Sequence, residues 1–357
     1  MSRNSYRIAV VPGDGIGREV VPEGVRVLEA VASRHGLDIR FDWFDFANCD
    51  YYVKHGEMMP EDWKAQIGGH DAIYFGSIGN TKLVPDSISG WGSIMKFRRE
   101  FDQYINLRPV KLLPGIPCPL AGRGPGDIDM VIVRENTEGE YSPIGGWQFV
   151  GTERETAMQA SVMTRIGIDR AARYAYELAR SRPRRKLTSA TKGNALTYTL
   201  KLWDERVEAV GAEYPDVTYD KKLVDALAAR MVLAPGDFDV IVASNLFGDI
   251  LSDLAAGMAG TLGIAPSGNI NPEKDHPSMF EPVHGSAPDI AGQGIANPIA
   301  QIWAGAMMLD HLGEASAARA VEAAIARALG EAALRTRDMG GTATTGEAGK
   351  GIAALVE

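Results

Sequence analysis

Two aspartates four residues apart have the spacing of a metal site. Asp249 and Asp253 lie in SNLFGDILSDLAAG, directly after the apolar run DFDVIV. A helix that begins there places both carboxylates on one face, and cations such as Mg²⁺ and Mn²⁺ prefer carboxylate oxygens. Asp225 in KKLVDALAARM is the candidate third ligand. Aspartates near a helix start also stabilise the helix dipole without any metal, so that interpretation stays open.

Three arginines are candidates for binding a substrate carboxylate. Arg98 and Arg108 lie in FRREFDQYINLRP, and Arg134 ends the apolar run of VIVREN. A guanidinium binds a carboxylate through two parallel hydrogen bonds, so arginines gathered in one cleft would suit a dicarboxylate. Exposed ion pairs are the commoner fate of a single arginine, and the sequence does not show that the three converge.

Lys192 and Asn194 follow the predicted strand KLTSAT, in the segment TKGNALT. A lysine at the carboxyl end of a strand can act as a general base if burial or nearby cations lower its pKa. Most lysines are only solvated. We place Asn194 at a helix start, where helix capping alone would explain it.

The segment EPVHGSAPDIAGQGIANP, residues 281–298, is typical of a nucleotide-binding loop. Its glycines and small residues let the backbone approach a ligand closely. Asp289 could accept hydrogen bonds from the ribose of NAD and would repel the extra phosphate of NADP. A turn without a ligand would explain the same composition.

Composition and charge give expectations about partners and location. The chain has 357 residues, 45% of them hydrophobic, and a net charge of −9. An acidic chain argues against a nucleic-acid partner. No apolar run is long enough to span a membrane, and MSRNSYRIAVVPGDG has neither the apolar core nor the cleavage site of a signal peptide, so none is expected. The two cysteines, Cys49 and Cys118, lack paired spacing and receive no role. We expect a cytoplasmic protein.

The order of elements indicates an α/β protein. Strand-like runs such as RIAVV, DAIYFGSIG, DMVIVREN and DFDVIV alternate with amphipathic helices. PGDGIG at residues 12–17 follows a strand and opens a helix but lacks the full glycine fingerprint, so a Rossmann fold is not expected. The Pro- and Gly-rich stretches 113–127 and 141–153 are predicted to be exposed connections or an arm.

Together these motifs resemble the metal-dependent β-decarboxylating 2-hydroxyacid dehydrogenases. That family includes the isocitrate, 3-isopropylmalate, homoisocitrate and tartrate/D-malate dehydrogenases. The resemblance extends from VVPGDGIGREV through EPVHGSAPDIAGQGIANP. It implies an isopropylmalate dehydrogenase-like fold of two domains with parallel or mixed sheets flanked by helices. We expect 1–104 and 261–357 to form the large domain with the nucleotide loop, and 105–260 the small domain with the metal site and a dimer arm within 141–165.

The resemblance also implies a role for each candidate residue. Lys192 would remove the hydroxyl proton as hydride passes to NAD⁺, and Tyr141 would protonate the enol carbon after CO₂ leaves. Lys192 and Asp225 would come from the partner subunit, so a homodimer would share its active sites. Activation by a monovalent cation such as K⁺ stays open. The implied ligands are Arg98, Arg108 and Arg134 for the substrate, Asp225, Asp249 and Asp253 for Mg²⁺ or Mn²⁺, Asn194 near the nicotinamide, and His284, Gly285, Ser286, Ala287, Asp289 and Asn297 for the adenosine part.

The segment WGSIMKFRREFDQYINLRPV bears on the substrate. Isocitrate enzymes carry Ser and Asn where this chain has Gly92 and Ile94, and an apolar Ile94 would leave the third carboxylate unpaired. Ile94 and Met95 keep 3-isopropylmalate as the alternative. The segment most resembles the tartrate/D-malate branch, in which Trp91 would narrow the space for an alkyl group. We therefore expect NAD-dependent oxidation and decarboxylation of tartrate or D-malate, with a non-catalytic regulatory subunit as the alternative of another class.

Overall fold

Strands and helices alternate along most of the chain, which confirms the predicted α/β pattern. The computed structural model describes residues 5–357. In chain order the elements are β1 (Ser5–Gly13), α1 (Gly17–His35), β2 (Asp38–Trp43), α2 (Cys49–His55), α3 (Trp63–Ile67), β3 (Ala72–Ser77), α4 (Asp86–Gly92), α5 (Ile94–Glu100), β4 (Ile105–Lys111), β5 (Asp129–Glu135), β6 (Gly145–Gln148), β7 (Thr156–Gln159), α6 (Arg165–Ser181), β8 (Lys186–Thr191), α7 (Thr199–Gly211), β9 (Thr218–Leu223), α8 (Val224–Leu233), β10 (Val240–Ala243), α9 (Asn245–Met258), β11 (Pro266–Ile270), β12 (Ser278–Pro282), α10 (Ile299–Leu312), α11 (Ala315–Gly330) and α12 (Thr345–Leu355).

The chain divides into two units. Among the described residues, the first comprises 5–103, 111–126 and 259–357, and the second comprises 104–110 and 127–258. Residues 111–126 were expected in the second domain, and the structure places them in the first. The reason is packing: Leu112 and Leu113 line an apolar cavity of about 480 Å³ together with Trp303 and Ile325 of the first unit.

In the first unit the strand order is β2-β1-β3-β12-β11. β1 pairs in parallel with β2 and β3, whereas β11 and β12 pair antiparallel, so the sheet is mixed. The run IAVV in β1 and the run AIYF in β3 are continuously apolar because both faces of the sheet are buried there, as in other parallel sheets. Helices α10 and α12 pack against α1.

The turn between β1 and α1 joins several loops of the first unit. The Asp14 carboxylate accepts hydrogen bonds from the backbone N–H groups of Cys49, at 2.8 Å, and Gly79, at 2.9 Å. A Cβ at Gly15 would lie 2.0 Å from the carbonyl oxygen of Ser286. PGDGIG therefore brings the backbone of another loop against α1, which explains its glycines without a dinucleotide fingerprint.

In the second unit the strand order is β4-β5-β10-β8-β9, with β10 parallel to both β5 and β8. Helix α9 begins two residues after β10 ends and packs against β5. A Cβ at Gly248 would lie 2.6 Å from the Cβ of Arg134 on β5. This glycine lets the helix that carries Asp249 approach the strand that carries Arg134.

β6 and β7 form an antiparallel hairpin whose residues are all exposed. It lies within the segment expected to contain the dimer arm. Within the described part of the chain, no helix is both long and apolar enough to cross a membrane.

Candidate active site

Four charged side chains meet in the second unit. Asp249 and Asp253 lie one turn apart on α9, as the sequence predicts, with Arg134 on β5 and Arg108 on β4 beside them. Arg134 Nη1 donates to Asp249 Oδ1 at 2.5 Å. Arg108 Nη1 lies 3.4 Å from Oδ1 of Asp249 and 3.4 Å from Oδ1 of Asp253. Both guanidiniums are buried, whereas 58% of the Asp253 side chain is exposed, so the carboxylates form the outer part of the cluster.

Asn245, which the sequence reasoning did not select, holds Arg134. The Oδ1 atom of this buried amide accepts hydrogen bonds from Arg134 Nε at 3.0 Å and from Nη2 at 2.7 Å. Its Nδ2 donates to the carbonyl of Glu138 at 3.1 Å. Its position in the sequence could have identified it, because Asn245 precedes Asp249 by four residues and both therefore project from one side of α9.

Arg108 is held in a similar way. Its Nε donates to Oδ1 of Asn106 at 2.7 Å, and its Nη1 donates to Oγ of Ser252 at 2.7 Å. Ser252 in turn donates to the backbone carbonyl of Asp249 at 2.9 Å. Each guanidinium is thus oriented partly by neutral oxygens, which fix its position without cancelling its charge.

Burial and the neighbouring carboxylate act together on Asp253. Burial raises the pKa of Asp253, the charge of Arg108 lowers it, and Asp249 raises it. Two carboxylates on one helix face favour a cation between them, because each disfavours the ionised form of the other. The two oxygen donors therefore fit a hard divalent cation.

Tyr141 joins this cluster from the loop after β5. Its O–H donates to Asp249 Oδ2 at 2.9 Å, and the Arg134 guanidinium lies 5.4 Å from the centre of its ring. The preceding Glu140 accepts hydrogen bonds from Ser244 Oγ and from the backbone N–H of Leu246. This carboxylate fastens the tyrosine loop to the start of α9.

Lys192 and Asp225 form a second group in the same unit. Lys192 follows β8, and its Nζ lies 2.6 Å from Oδ1 of Asp225 in the first turn of α8. The hydrogen bond from Lys192 lowers the pKa of Asp225. Among residues 5–357, a single chain gathers no group of three His, Cys, Asp or Glu side chains suited to a metal ion.

Asn194 does not begin a helix, and this prediction was wrong. It lies exposed in a turn, and α7 starts only at Thr199. The buried apolar residues of α7, such as Leu200 and Trp203, determine where this helix begins. Asparagine favours turns as well as helix caps, so its presence alone does not mark a helix start.

Arg98 belongs to the first unit. It lies on α5, where it is buried and its Nη2 lies 3.4 Å from Oε1 of Glu281. The structure thus brings Arg108 and Arg134 together, and the role of Arg98 stays a prediction. The guanidinium of the next residue on α5, Arg99, lies 4.6 Å from the centre of the exposed Trp91 ring on α4 and holds that ring in place.

The predicted nucleotide loop borders a cavity of about 330 Å³ in the first unit. Ser286 is buried, and its carbonyl accepts a hydrogen bond from the N–H of Ile16 at 2.9 Å. Gly285 and Asp289 are exposed, and Ala287 has a positive φ of 41°. The cavity is lined by Ile16, Gly263, His284, Ile290, Ile295, Ala296, Asn297, Arg337 and Asp338.

His284 carries an unpaired polar atom in this cavity. Its Nδ1 lies 3.0 Å from the carbonyl of Gly285, while its buried Nε2 has no hydrogen-bond partner within residues 5–357. Burial lowers the pKa of His284 and favours the neutral ring. A neutral imidazole that donates through Nδ1 leaves Nε2 as an acceptor for a ligand N–H or O–H.

Asn297 links the loop to a segment that the sequence reasoning missed. Its Nδ2 donates to Asp338 Oδ2 at 3.0 Å. Asp338 and Arg337 lie in a short 3-10 turn, Arg337–Met339, about forty residues further along the chain. No local pattern could have identified them, because only tertiary packing brings that turn to the loop.

Comparison with known proteins identifies the family. The family model for isocitrate/isopropylmalate dehydrogenase matches residues 7–352. The chain belongs to this family. The resemblance derived from its motifs is therefore confirmed, as are the prediction of an enzyme and that of an α/β fold other than the Rossmann fold.

Two bacterial members of the isocitrate/isopropylmalate dehydrogenase family are similar over nearly their full lengths. D-malate dehydrogenase [decarboxylating] of Escherichia coli (strain K12) is 58% identical, covering 99% of both chains. Tartrate dehydrogenase/decarboxylase of Pseudomonas putida is 57% identical, covering 99% of this chain and 98% of the relative.

A solved structure of the same family has the same fold. Isocitrate dehydrogenase from Methylococcus capsulatus superposes with a TM-score of 0.87 at 36% sequence identity, covering 98% of this chain and 99% of the other. The isocitrate/isopropylmalate dehydrogenase fold thus accommodates the cluster on α9 and the loop at His284.

Proposed function

We propose that this protein oxidises and decarboxylates D-malate, tartrate or both, using NAD⁺ and Mg²⁺ or Mn²⁺. The main support for this proposal is the cluster in which Arg108 and Arg134 contact Asp249 and Asp253. It joins buried cations suited to a small diacid with two oxygen donors suited to a divalent metal. The decarboxylating D-malate and tartrate relatives support the same substrate class.

Arg108 and Arg134 are proposed to bind a substrate carboxylate. Both are buried and oriented, so little side-chain entropy remains to be lost when the substrate binds. Their ion pairs with Asp249 and Asp253 keep the cluster near neutral until ligands arrive. The substrate carboxylate would then take over part of the hydrogen bonding of each guanidinium.

Asp249 and Asp253 are proposed to hold the metal together with Asp225 of the partner subunit. Asp225 is largely exposed in its own chain, where Lys192 keeps it ionised. A bound divalent cation would lower the pKa of the substrate hydroxyl and stabilise the electron pair left when CO₂ departs. A homodimer with shared active sites follows from this assignment.

Lys192 and Tyr141 are proposed to move the protons. Lys192 would take the proton of the substrate hydroxyl, and a bound NAD⁺ would supply the acceptor for the hydride on the carbon that bears this hydroxyl, so that the alcohol becomes a ketone. The bond to the β-carboxylate then breaks, and CO₂ leaves. Tyr141, held by its hydrogen bond to Asp249, gives its proton to the carbon that lost the carboxylate.

The His284 loop is proposed to bind the adenosine part of NAD. Its cavity offers an apolar wall, the unpaired Nε2 of His284 and the amide of Asn297, which fit a base and its polar edge. The exposed Asp289 is proposed to favour NAD over NADP, because its carboxylate would repel a 2′-phosphate. Asn194 is kept as a candidate near the nicotinamide, and a cytoplasmic location stays a prediction.

A substrate panel tests the proposed function. D-malate, the tartrate isomers, isocitrate and 3-isopropylmalate are each supplied with NAD⁺ and Mn²⁺, and NADH absorbance and CO₂ release are followed. We expect kcat/KM to be highest for D-malate or a tartrate isomer. A higher value for 3-isopropylmalate would instead favour the alternative specificity, and no turnover of any acid would favour a non-catalytic subunit.

A further inference from the structure

Glu19 grips the predicted nucleotide loop from the first turn of α1. Its Oε1 accepts a hydrogen bond from the N–H of Gly292 at 2.6 Å, and its Oε2 accepts one from the N–H of Gly294 at 2.8 Å. Both oxygens of one carboxylate thus hold two amides of the same loop. Such bonds to an ionised acceptor are stronger than bonds between neutral groups.

The two amides can turn toward Glu19 because of the local backbone. Gly292 has a φ of 80° and Gly294 a φ of 66°, and side-chain-bearing residues rarely adopt this left-handed region. A segment with two such glycines has many unfolded conformations, so it needs contacts to remain in one of them. Glu19 supplies two of these contacts.

The opposite side of the loop is fixed as well. The N–H of Thr345, at the start of α12, donates to the carbonyl of Gly294 at 2.8 Å, and its Oγ1 donates to the carbonyl of Ala296 at 2.7 Å. Residues 295–297, which line the cavity, are therefore held on one side by hydrogen bonds from α12 and on the other by the hydrogen bonds of Glu19 to the preceding glycines. Release of one side would free the cavity wall to move.

We infer that Glu19 is a positioning residue for the dinucleotide site, an inference that rests on the proposed function. Glu19 does not line the cavity itself, so it would act by keeping the loop in the conformation that binds NAD. The apparent affinity of a ligand equals its intrinsic affinity multiplied by the fraction of molecules in the binding-competent conformation. Loss of Glu19 should therefore weaken NAD binding and leave the affinity for the dicarboxylate unchanged.

The test compares Glu19→Ala and Glu19→Gln with Glu29→Ala, a matched change at an exposed glutamate further along α1. We expect Glu19→Ala to raise the Kd for NAD, measured by calorimetry, and the KM for NAD by roughly tenfold. Glu19→Gln, which keeps one acceptor oxygen, should lie between Glu19→Ala and the wild type. Glu29→Ala should match the wild type, and the KM for D-malate or tartrate should not change in any variant.

Hydrogen exchange of the ligand-free protein gives a readout that needs no activity. We expect the amides of residues 292–294 to exchange roughly tenfold faster in Glu19→Ala. The inference about Glu19 would be overturned if hydrogen exchange of residues 292–294 were unchanged in Glu19→Ala, or if Glu19→Ala and Glu29→Ala bound NAD equally well. The proposed function would stand in either case as long as the wild type oxidised D-malate or tartrate. A wild type that bound no NAD would overturn the proposed function as well.

Discussion

Neutral amide oxygens orient both arginines of the cluster. Asn245 accepts two hydrogen bonds from Arg134, and Asn106 accepts one from Arg108. A carboxylate at either position would orient the guanidinium equally well, but it would make a cluster that already holds Asp249 and Asp253 negative, and this would oppose the proposed binding of a substrate carboxylate. The amides thus fix the geometry of both guanidiniums without adding negative charge to the cluster.

The first prediction concerns Asn245→Ala. The change removes the amide oxygen that accepts from Nε and Nη2 of Arg134, so the guanidinium loses two of the hydrogen bonds that orient it. We expect the KM for the dicarboxylate to rise roughly tenfold, and the free energy of unfolding to fall by about 1–3 kcal/mol. Steady-state kinetics and urea denaturation measure the two effects.

Ile132→Val is the control for the loss of stability, because Ile132 lies on strand β5 together with Arg134. Ile132 is fully buried, so this change is expected to cost about 1 kcal/mol without touching Arg134. A KM that rises as much in Ile132→Val as in Asn245→Ala would show that stability, and not orientation, sets the substrate affinity.

At this scale the sequence predicts local relations better than distant ones. The spacing of Asp249 and Asp253 follows from helical periodicity, and the structure places both on one face of α9. The contact of Arg134 with Asp249 joins residues 115 positions apart, and it depends on how closely α9 packs against β5. Gly248 permits that approach, but a glycine inside a helix does not reveal which side chain will face it.

Among the elements, the hairpin β6–β7 exposes more apolar surface than a lone chain would favour. Trp147, Val150 and Met158 each have about two thirds of their surface exposed, and Phe149 about half. Contiguous exposed apolar side chains usually mark an interaction surface. This supports the predicted role of the segment as a dimer arm.

The second prediction is that Trp147→Ser weakens the proposed homodimer. Loss of a large apolar side chain at the centre of an interface commonly costs about 2 kcal/mol or more, so the dimer dissociation constant should rise by more than tenfold. Sedimentation across a dilution series measures it. Trp43→Ser, at a half-exposed tryptophan of β2, is the matched control. Equal dissociation constants for both variants and the wild type would remove the hairpin from the interface.

Strands were easier to predict than the turns between elements. Runs such as IAVV in β1 and VIVA in β10 are apolar at every position because both faces are buried. The turn at Asn194 was assigned wrongly because asparagine stabilises caps and turns through the same side-chain hydrogen bonds. Only the packing of α7 decides between the two.

For the whole molecule, a buried histidine should couple stability to pH. His311, on α10, packs beside Phe280, and burial together with the charge of Lys274 lowers its pKa to about 4. Its pKa in the unfolded chain is about 6.5, so the unfolded state binds the extra proton first as the pH falls. Stability from the neutral ring is complete above pH 6.5 and is lost as the pH falls toward 4.

The third prediction compares the wild type with His311→Gln, whose side chain does not titrate. Between pH 7.5 and pH 5 the wild type should lose about 2 kcal/mol more unfolding free energy than the variant, as follows from the two pKa values of His311. Urea denaturation at both pH values measures the difference. Parallel losses in the two proteins would contradict the assignment.

The division of the chain into two units could be predicted only in part from the sequence. Boundaries near 104 and 260 were placed from the family resemblance. The assignment of residues 111–126 depends on Leu112 and Leu113, which border one apolar cavity with Trp303 of α10 and Ile325 of α11, and this tertiary arrangement has no local signal. The two-domain organisation of the family stays the working interpretation for the function of each unit.

The active site is proposed to combine Asp249 and Asp253 of one subunit with Asp225 of the partner subunit. Asp249→Asn and Asp225→Asn homodimers should each be inactive, because every site lacks one carboxylate. The most direct measurement is the turnover of D-malate or tartrate by hybrid dimers, isolated through two different tags, that pair one Asp249→Asn chain with one Asp225→Asn chain. A site shared between subunits leaves one intact site in each hybrid, so we expect about half of the wild-type activity. If each chain used its own Asp225, no hybrid site would be intact, and inactive hybrids would contradict the account.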